Sequence, residues 1–338
     1  MRMRTIALTA ALFASGALAA PAQAKLVYVT GSGTPNSTIF VAGNTGENPR
    51  RVGMGRAPTI SPDGRWVAFI TAATGASGKE TVVVQRLRSG LQRLVMRAKS
   101  IDALRFSPDS AKLGAVADGE RLRVYDLAAG RLHLAARGHL RGYSFSPDST
   151  QVVVGDAATD EFQARSDLHV GPALGGSPLQ RLTRLRNAVN PVWGSREIVF
   201  DRFRRRPEDT PAYNLWAIDP AAKDSLRRLT RLNIPPLASG LVPVEVSADA
   251  RRMLAMFTGQ DTEVGFTVAT GTGRTRALSL DFEGGVVGFD LSSDGLTILG
   301  HTGGGDPQAA HNVVVVPWGR KGEPKVLVEN AAFPDWNL

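Results

Sequence analysis

The hydrophobic residues of this 338-residue chain fall in short runs that are separated by polar turns rich in glycine, proline, serine and aspartate. Residues 66–70, 81–84, 122–125, 152–154 and 197–200 are examples of such runs. β-Branched and aromatic residues are frequent in them, as is typical of strands that are buried in a sheet. The pattern therefore predicts an all-β chain without helices.

A polar turn motif recurs along the chain and divides it into repeats. The motif reads Ser-Pro-Asp-Gly or a close variant, with copies that begin at Ser61, Ser107, Ser146, Ser247 and Ser292 and degenerate copies at Trp193 and Pro334. Proline presets the first turn position, and the aspartate side chain accepts backbone N–H groups in such turns. The copies lie about 45 residues apart, which is close to the length of a four-stranded propeller blade.

Each copy of the motif is preceded by one short strand and followed by three. Four short strands in every repeat, with no helices between them, predict a β-propeller. A single blade cannot bury both of its faces, whereas a ring of stacked blades can. The motif count predicts seven four-stranded blades. A ring of six blades is the alternative, because two of the copies are degenerate.

The two ends of the chain complement each other. Residues 25–51 contain three predicted strands and lack the motif, whereas residues 331–338 contain one strand and nothing more. We therefore expect the C-terminal strand to complete the first blade and to close the ring. Residues 25–338 would then form a single propeller domain.

Residues 1–24 have the composition of a secretory signal peptide. Arg2 and Arg4 precede an apolar run over residues 6–20, and Ala22-Gln23-Ala24 is a small-residue cleavage site. We predict cleavage after Ala24 and a periplasmic or secreted protein; an uncleaved N-terminal anchor is the alternative. No later segment is apolar and long enough to cross a bilayer, so we expect a mature protein that does not span the membrane and is a monomer.

Composition excludes several kinds of chemistry. The chain has no cysteine, which excludes thiolate nucleophiles and cysteine-ligated metals. A Gly-x-Ser-x-Gly nucleophile motif and a P-loop are also missing, and we expect no cofactor. The formal net charge of +9, or +7 without Arg2 and Arg4, could favour anionic partners, but a basic surface that only keeps the protein soluble is the preferred interpretation. Nucleic acid is not expected, because the chain carries an export signal and lacks a basic groove with aromatic residues.

The repeat resembles the PD40 (WD40-like) repeats of the TolB propeller family. Residues 57–69, which read Ala-Pro-Thr-Ile-Ser-Pro-Asp-Gly-Arg-Trp-Val-Ala-Phe, carry the clearest match, and the resemblance extends over residues 25–338. It implies a propeller fold and, from the periplasmic TolB of the Tol-Pal system, a binding role without catalysis. TolB has an α/β domain before its propeller, and the related serine peptidases append a hydrolase domain. We expect neither domain in this chain.

Two histidines and an aspartate form a weak candidate metal site. His301 and His311 flank a predicted loop that also contains Asp306, and such side chains could bind a transition metal. The preferred interpretation is that the two histidines are exposed loop residues without a metal.

Variable loops between the second and third strand of a blade are the preferred location for a binding site, because binding residues usually lie on loops that a rigid scaffold positions. The long ones cover residues 71–80, 156–166, 201–213 and 301–311. Arginines in the third of these could hold carboxylates or phosphates, and acidic residues of the neighbouring blade could pair with them instead. The candidate patch comprises Arg202, Arg204, Arg205, Arg206, Asp156, Asp160 and Glu161.

The sequence thus favours an exported, non-catalytic propeller that binds a protein or a cell-envelope component. The alternative is a propeller enzyme, similar to lactonases or lyases, with its site at the ring axis. A sugar-binding propeller is a third interpretation that would need exposed aromatic loop residues, for which only Phe162, Phe203 and Tyr213 qualify.

Overall fold

The regular secondary structure of the described residues consists of β-strands, as the sequence predicts. The structure is a computed structural model that describes residues 24–32, 37–72, 78–161, 163–206, 209–259, 263–278, 285–304, 310–319 and 324–338; side chains are not described for residues 205, 206, 209–211 and 223. No helix that is long and apolar enough to cross a membrane occurs within these ranges.

The first four sheets each contain four antiparallel strands. Sheet 1 contains β1 (Lys25–Thr30), β2 (Thr38–Gly43), β3 (Arg50–Met54) and the C-terminal β28 (Ala331–Trp336). Sheet 2 contains β4 (Arg56–Ile60), β5 (Trp66–Thr71), β6 (Glu80–Arg86) and β7 (Gln92–Ala98). Sheet 3 contains β8 (Ile101–Phe106), β9 (Lys112–Ala117), β10 (Arg121–Asp126) and β11 (Arg131–Arg137). Sheet 4 contains β12 (His139–Phe145), β13 (Gln151–Ala157), β14 (Ser166–Pro172) and β15 (Gln180–Arg181).

Three further four-stranded units follow in sequence order. Sheet 5 contains β16 (Ala188–Trp193), β17 (Ile198–Arg206), β18 (Asp209–Asp219) and β19 (Ala222–Arg228). Sheet 6 contains β20 (Ala238–Val246), β21 (Arg252–Gly259), β22 (Glu263–Ala269) and β23 (Arg274–Ala277). Sheet 7 contains β24 (Val286–Leu291), β25 (Thr297–Thr302), β26 (Val313–Pro317) and β27 (Lys325–Val328). A single parallel bridge between Tyr213 and Gly240 joins sheets 5 and 6. The described residues thus form seven units, which agrees with the count of turn motifs.

Apolar side chains fill the spaces between successive sheets. Phe69 of sheet 2 packs with Val27 of sheet 1, and Phe200 of sheet 5 packs with Leu168 of sheet 4. Full burial of such a side chain contributes about 1.5–3 kcal/mol. Residues of sheet 7, including Leu299, pack in the same way against sheet 1.

The C-terminal strand lies in the first sheet. β28 pairs antiparallel with β1, with Trp336 opposite Leu26 and Ala331 opposite Thr30. The Asp335 carboxylate of β28 also accepts hydrogen bonds from the hydroxyl of Thr59 and from a backbone N–H, both 2.7 Å long, in sheet 2. This is the pairing that the sequence predicts for the two ends of the chain.

The prediction of a loop over residues 201–213 is wrong for most of these residues, because β17 and β18 extend into the segment and pair with each other. Polar Arg202 and Arg204 alternate with apolar Phe203, which is the pattern of a strand with one covered face. Phe203 lies opposite Tyr213, and their rings meet edge to face at 5.9 Å. Both rings are buried rather than exposed, whereas Phe162 lies outside the described residues.

Candidate functional site

The residues of the predicted patch occupy two separate places. Arg202 and Arg204 lie on β17, together with the backbone of residues 205 and 206, whose side chains lie outside the described part of the structure. Asp156 is on β13, and residues 160 and 161 follow that strand. Arg141 donates hydrogen bonds to the main-chain oxygens of residues 160 and 161, at 2.5 and 2.9 Å. In the described residues, none of the acidic members of the patch forms an ion pair with Arg202 or Arg204.

Arg202 and Arg204 instead line a cavity together with an arginine that the sequence analysis did not single out. The cavity has a volume of about 270 Å³. We call it the arginine pocket; the lining residues used below are Asn187, Arg202, Arg204, Asn214, Trp216 and Arg228. No carboxylate belongs to its described lining. The pocket is therefore positively charged.

Strand register brings these side chains to one face of sheet 5. Residues that lie directly opposite each other on paired strands point to the same side of a sheet. Arg202 lies opposite Asn214, and Trp216 lies opposite Arg228. The Trp216 side chain also packs against the apolar cluster between sheets 4 and 5. The pocket therefore lies on the face of sheet 5 that is directed towards sheet 4.

The Arg202 side chain is held in position by two neighbours. Its Nε donates to the Asn187 Oδ1 at 3.0 Å, and the Asn187 Nδ2 donates in turn to a main-chain oxygen of β17 at 2.8 Å. The guanidinium carbon lies 4.3 Å from the centre of the Trp216 ring, which is a cation–π contact. In the described part of the chain, the terminal nitrogens of Arg202 have no hydrogen-bond partner, so they can bind a ligand.

The electrostatics of the pocket favour an anion. Burial and the nearby charge of Arg228 lower the pKa of the Arg202 guanidinium, whereas the Asp167 carboxylate raises it. Arginine remains protonated under such shifts, so the two cations repel each other in a partly desolvated site. A carboxylate or phosphate would relieve that repulsion and could accept paired hydrogen bonds from a guanidinium.

The histidine pair is buried, so the expectation of two exposed loop residues is wrong. His301 lies near the end of β25, and His311 lies shortly before β26. Both side chains are less than one-tenth exposed. Their Nδ1 atoms lie 2.8 and 2.7 Å from the same main-chain oxygen, that of Thr302. Burial lowers the pKa of His301 to about 4, so its imidazole is neutral at pH 7. Asp306 lies outside the described residues.

Stacking accounts for the position of the histidines. The Phe289 ring stacks on His301 at 4.9 Å, and the Phe333 ring meets His301 edge-on at 5.3 Å. Over the described ranges, no group of three or more histidine, aspartate and glutamate side chains is arranged to hold a metal ion.

Three carboxyl groups on the first strands of neighbouring sheets form a second polar cluster. Glu245 and Asp290 each lie two residues before the turn motif of sheets 6 and 7, and Asp335 lies on the C-terminal strand of sheet 1. Burial and the charges of its two neighbours raise the pKa of Asp290 well above the usual value. Burial also raises the pKa of Glu245, which the charge of Arg105 opposes. Alignment of the repeats could have identified Glu245 and Asp290, since both have the same spacing to the motif.

Comparisons with known proteins show the architecture of the chain. No protein-family model matches it, and no curated protein matches it in sequence. Among solved structures, the propeller domain of the Trilobed protease from Pyrococcus furiosus is similar with a TM-score of 0.67 and 15% identity, over 90% of this chain and 95% of that one. The chain has a β-propeller fold.

Other similar structures include TolB and a lyase. TolB from Acinetobacter baumannii is similar with a TM-score of 0.54 and 15% identity, over 94% of this chain and 67% of that one. An oligogalacturonate lyase in complex with manganese is similar with a TM-score of 0.59 and 12% identity, over 91% of this chain and 86% of that one. At such identities the likeness shows the fold alone, and fold does not determine function.

Proposed function

We propose that this protein is an exported, non-catalytic propeller that binds a protein or a cell-envelope component, and that the arginine pocket receives an anionic group of that partner. The observation that carries the proposal is a cavity lined by three arginines and, in the described residues, by no carboxylate. Export rests on the signal-peptide pattern of residues 1–24, and N-terminal sequencing of the exported protein tests it.

The composition of the pocket suits a binding site. Arginine and tryptophan are enriched among residues that dominate binding energy, and hydrogen bonds to charged groups contribute about 1.5–3 kcal/mol each. Trp216 and Arg202 already contact each other, so little side-chain freedom is lost when a ligand binds. The sheets on either side supply a rigid support for the arginines.

The experiment is a comparison of partner binding by matched variants. Immobilised mature protein is incubated with envelope extract, the retained component is identified by mass spectrometry, and its affinity is then measured with purified material. We expect the double variant R202A/R228A to bind at least about tenfold more weakly, which corresponds to 1.4 kcal/mol. The control is Arg131→Ala, because Arg131 is an exposed arginine on sheet 3.

Two outcomes would count against the proposal. One is that no component binds saturably to the wild-type protein. The other is that the double variant and the Arg131→Ala control bind the purified component equally well.

The second candidate function is a propeller enzyme with its site on the first strands of the sheets. The carboxyl cluster of Glu245, Asp290 and Asp335 favours it, because raised pKa values are common among catalytic acids. A tightly bound, stoichiometric divalent metal in the purified protein, together with turnover in a screen of hydrolase and lyase substrates, would support this function over the first. Loss of that turnover in Asp290→Asn would place the active site at the carboxyl cluster.

A further inference from the structure

Sheets 4 and 5 share a hydrogen-bonded motif at their third and fourth strands. In sheet 4, the Asp167 Oδ1 accepts hydrogen bonds from the Thr183 hydroxyl at 2.9 Å and from the Leu185 N–H at 2.5 Å. The Asp167 Oδ2 accepts a hydrogen bond from the Arg181 Nη2 at 2.5 Å. The Arg181 Nε donates to the main-chain oxygen of Thr183 at 2.8 Å. The carboxylate thus neutralises the arginine within the same sheet.

The same motif recurs in sheet 5 with one change of chemistry. The Asn214 Oδ1 accepts hydrogen bonds from the Thr230 hydroxyl at 3.1 Å and from the Leu232 N–H at 2.8 Å. The Arg228 Nε donates to the main-chain oxygen of Thr230 at 2.7 Å. Asn214 and Arg228 therefore stand where sheet 4 has Asp167 and Arg181, at the same sequence spacing.

The asparagine turns an acceptor into a donor. Because the Leu232 N–H must face an oxygen, the orientation of the Asn214 amide is fixed, and its nitrogen takes the place of the Asp167 Oδ2. That nitrogen donates one hydrogen bond to the main-chain oxygen of Leu232 at 3.3 Å and has a second N–H left for the cavity. A nitrogen there cannot accept a hydrogen bond from Arg228. In the described residues, Arg228 forms no ion pair, whereas its counterpart Arg181 does.

A second difference between the two sheets adds to the positive charge. Strand pairing places Arg202 opposite Asn214, at the position where sheet 4 has Asp156 opposite Asp167. Sheet 5 therefore carries a cation at a position that is a carboxyl in sheet 4. The Asn214 amide nitrogen and the guanidinium groups of Arg202 and Arg228 are then three sets of hydrogen-bond donors around one cavity.

We infer that the arginine pocket binds a carboxylate group of its ligand beside Arg228, where it supplies the acceptor that sheet 4 obtains from Asp167. This inference rests on the proposed function and names the chemical group that is recognised. A carboxylate is planar and can accept hydrogen bonds from a guanidinium, as the Asp167 Oδ2 does from Arg181 in sheet 4. The Trp216 ring beside Arg202 provides an apolar surface for the part of the ligand next to the carboxylate.

The test uses the substitution that restores the chemistry of sheet 4. Asn214→Asp should pair with Arg228 as Asp167 pairs with Arg181, and so fill the position of the ligand carboxylate. Binding is measured by calorimetry with mature protein and three probes: N-acetylalanine, which represents a peptide C-terminus; glucuronate, which represents an acidic sugar; and inorganic phosphate. We expect one of the two carboxylates to bind more tightly than phosphate, and its affinity to fall at least about tenfold in Asn214→Asp.

A matched control exists in sheet 7. Asn312 lies immediately before β26, the third strand of sheet 7. Its Oδ1 accepts a hydrogen bond from the Asn330 N–H at 3.0 Å, and an aspartate would keep this bond. Asn312→Asp changes the net charge by the same amount away from the pocket and should bind the probes as the wild type does. A melting temperature of Asn214→Asp at or above that of the wild type would show that the fold is intact. If Asn214→Asp is unstable, Arg228→Gln replaces it with the same expected loss.

The results separate this inference from the proposed function. Absence of saturable carboxylate binding, preference for phosphate, or unchanged affinity in Asn214→Asp would overturn the inference. If a purified envelope partner still loses affinity in the R202A/R228A variant, the proposed function survives that failure. Conversely, carboxylate binding that responds to Asn214→Asp, without any retained partner, would support the inference and count against the proposed function.

Discussion

Asp201 on β17 is fully buried, and only one of its carboxyl oxygens has a hydrogen-bond partner in the described residues. That partner is the Asn190 Nδ2, which donates to Oδ2 at 3.2 Å, whereas Oδ1 has none. Burial raises the pKa of Asp201 well above the usual value for an aspartate. A protonated carboxyl group avoids the cost of a buried negative charge.

The raised pKa of Asp201 predicts the direction of a pH effect on stability. A carboxyl whose pKa is higher in the folded state than in the unfolded state stabilises the fold below the unfolded value of about 3.9, and this contribution is lost as the pH rises through the folded pKa. Asp201→Asn removes that loss. At pH 8 we therefore expect Asp201→Asn to melt at a higher temperature than the wild type, by roughly 2–4 °C for each kcal/mol of free energy of unfolding gained. This difference in melting temperature should shrink towards pH 4.

Asp148→Asn is the control for this pH effect, because it should behave in the opposite way. Hydrogen bonds from the side chain of Ser146 and from Thr150 lower the pKa of Asp148. Its contribution is present above the unfolded pKa and is lost as the pH falls. Asp148→Asn should therefore lower the melting temperature at pH 8. Thermal melts of the three proteins between pH 4 and 8 check both directions, and parallel curves for wild type and Asp201→Asn would contradict the assignment of a raised pKa.

Single residues show where sequence reasoning succeeds and where it stops. That Arg202 and Arg204 contribute to a binding site stays a prediction, and the structure places both side chains in the arginine pocket. Arg228 was not predicted, although residues 228–232 repeat the Arg-Leu-Thr-Arg-Leu sequence of residues 181–185. The role of Arg228 depends on Asn214, which lies in another strand. The role of Asn214 depends on the pairing of its strand with the next one, and the pattern of hydrophobic residues does not predict that pairing.

At the scale of elements, the turn motif links neighbouring sheets as well as strands. Within the motif of sheet 2, the Ser61 hydroxyl donates to the Asp63 carboxylate at 2.6 Å. The Asp63 N–H donates to the Ser110 hydroxyl of sheet 3 at 3.0 Å, and the Asp109 N–H donates to the Ser149 hydroxyl of sheet 4 at 3.0 Å. These bonds give the fourth motif position a role between sheets that the sequence reading did not assign.

Removal of the Ser149 hydroxyl should weaken the junction between sheets 3 and 4. Ser149 is fully buried and has a positive φ of 61°, so Ser149→Ala keeps the backbone strain and loses the acceptor for the Asp109 N–H. We expect a loss of about 1–3 kcal/mol in the free energy of unfolding. Guanidinium denaturation measures it.

The matched comparison for Ser149→Ala is Ala250→Gly in sheet 6. Ala250 occupies the same motif position, with a φ of 56°, and its side chain has no hydroxyl to form such a bond. Glycine relieves the positive φ there, so we expect a gain of up to about 1 kcal/mol. A loss in Ala250→Gly as large as that in Ser149→Ala would show that the bond between sheets is not the cause.

The elements themselves follow the sequence closely, with two exceptions that have physical reasons. The runs of hydrophobic residues predict the strands of the seven sheets, because their side chains fill the spaces between sheets. The extension of β17 and β18 was missed, because arginine-rich segments with Pro207 resemble a loop. The left-handed residues of the first strands, such as Ala57, Ala103 and Phe333, were not predictable either, because residues other than glycine rarely adopt a positive φ.

At the scale of the whole molecule, the two ends of the chain hold each other. The backbone N–H of Lys25 donates to the Asn337 side-chain oxygen at 2.7 Å. Trp336 is buried between sheets 1 and 7, and its backbone N–H donates to the Asp290 carboxylate at 3.3 Å. Sheet 1 therefore depends on residues from both termini, and its contacts with sheet 7 depend on the last strand.

Deletion of residues 331–338 should therefore destabilise the whole protein rather than fray one edge. The truncated chain loses the strand that pairs with β1, the Trp336 side chain and the Asp335 bonds to sheet 2. Truncation of one buried aromatic side chain alone costs about 3–5 kcal/mol, and 1 kcal/mol shifts the melting temperature of a domain of this size by about 2–4 °C or less. We expect a fall of roughly 10 °C or more in thermal melts followed by circular dichroism. Trp336→Ala should show a smaller fall, and a synthetic peptide of residues 331–338 should restore part of the stability of the truncated chain. A truncated protein that melts like the intact one would contradict the expectation that the last strand joins the two ends of the chain.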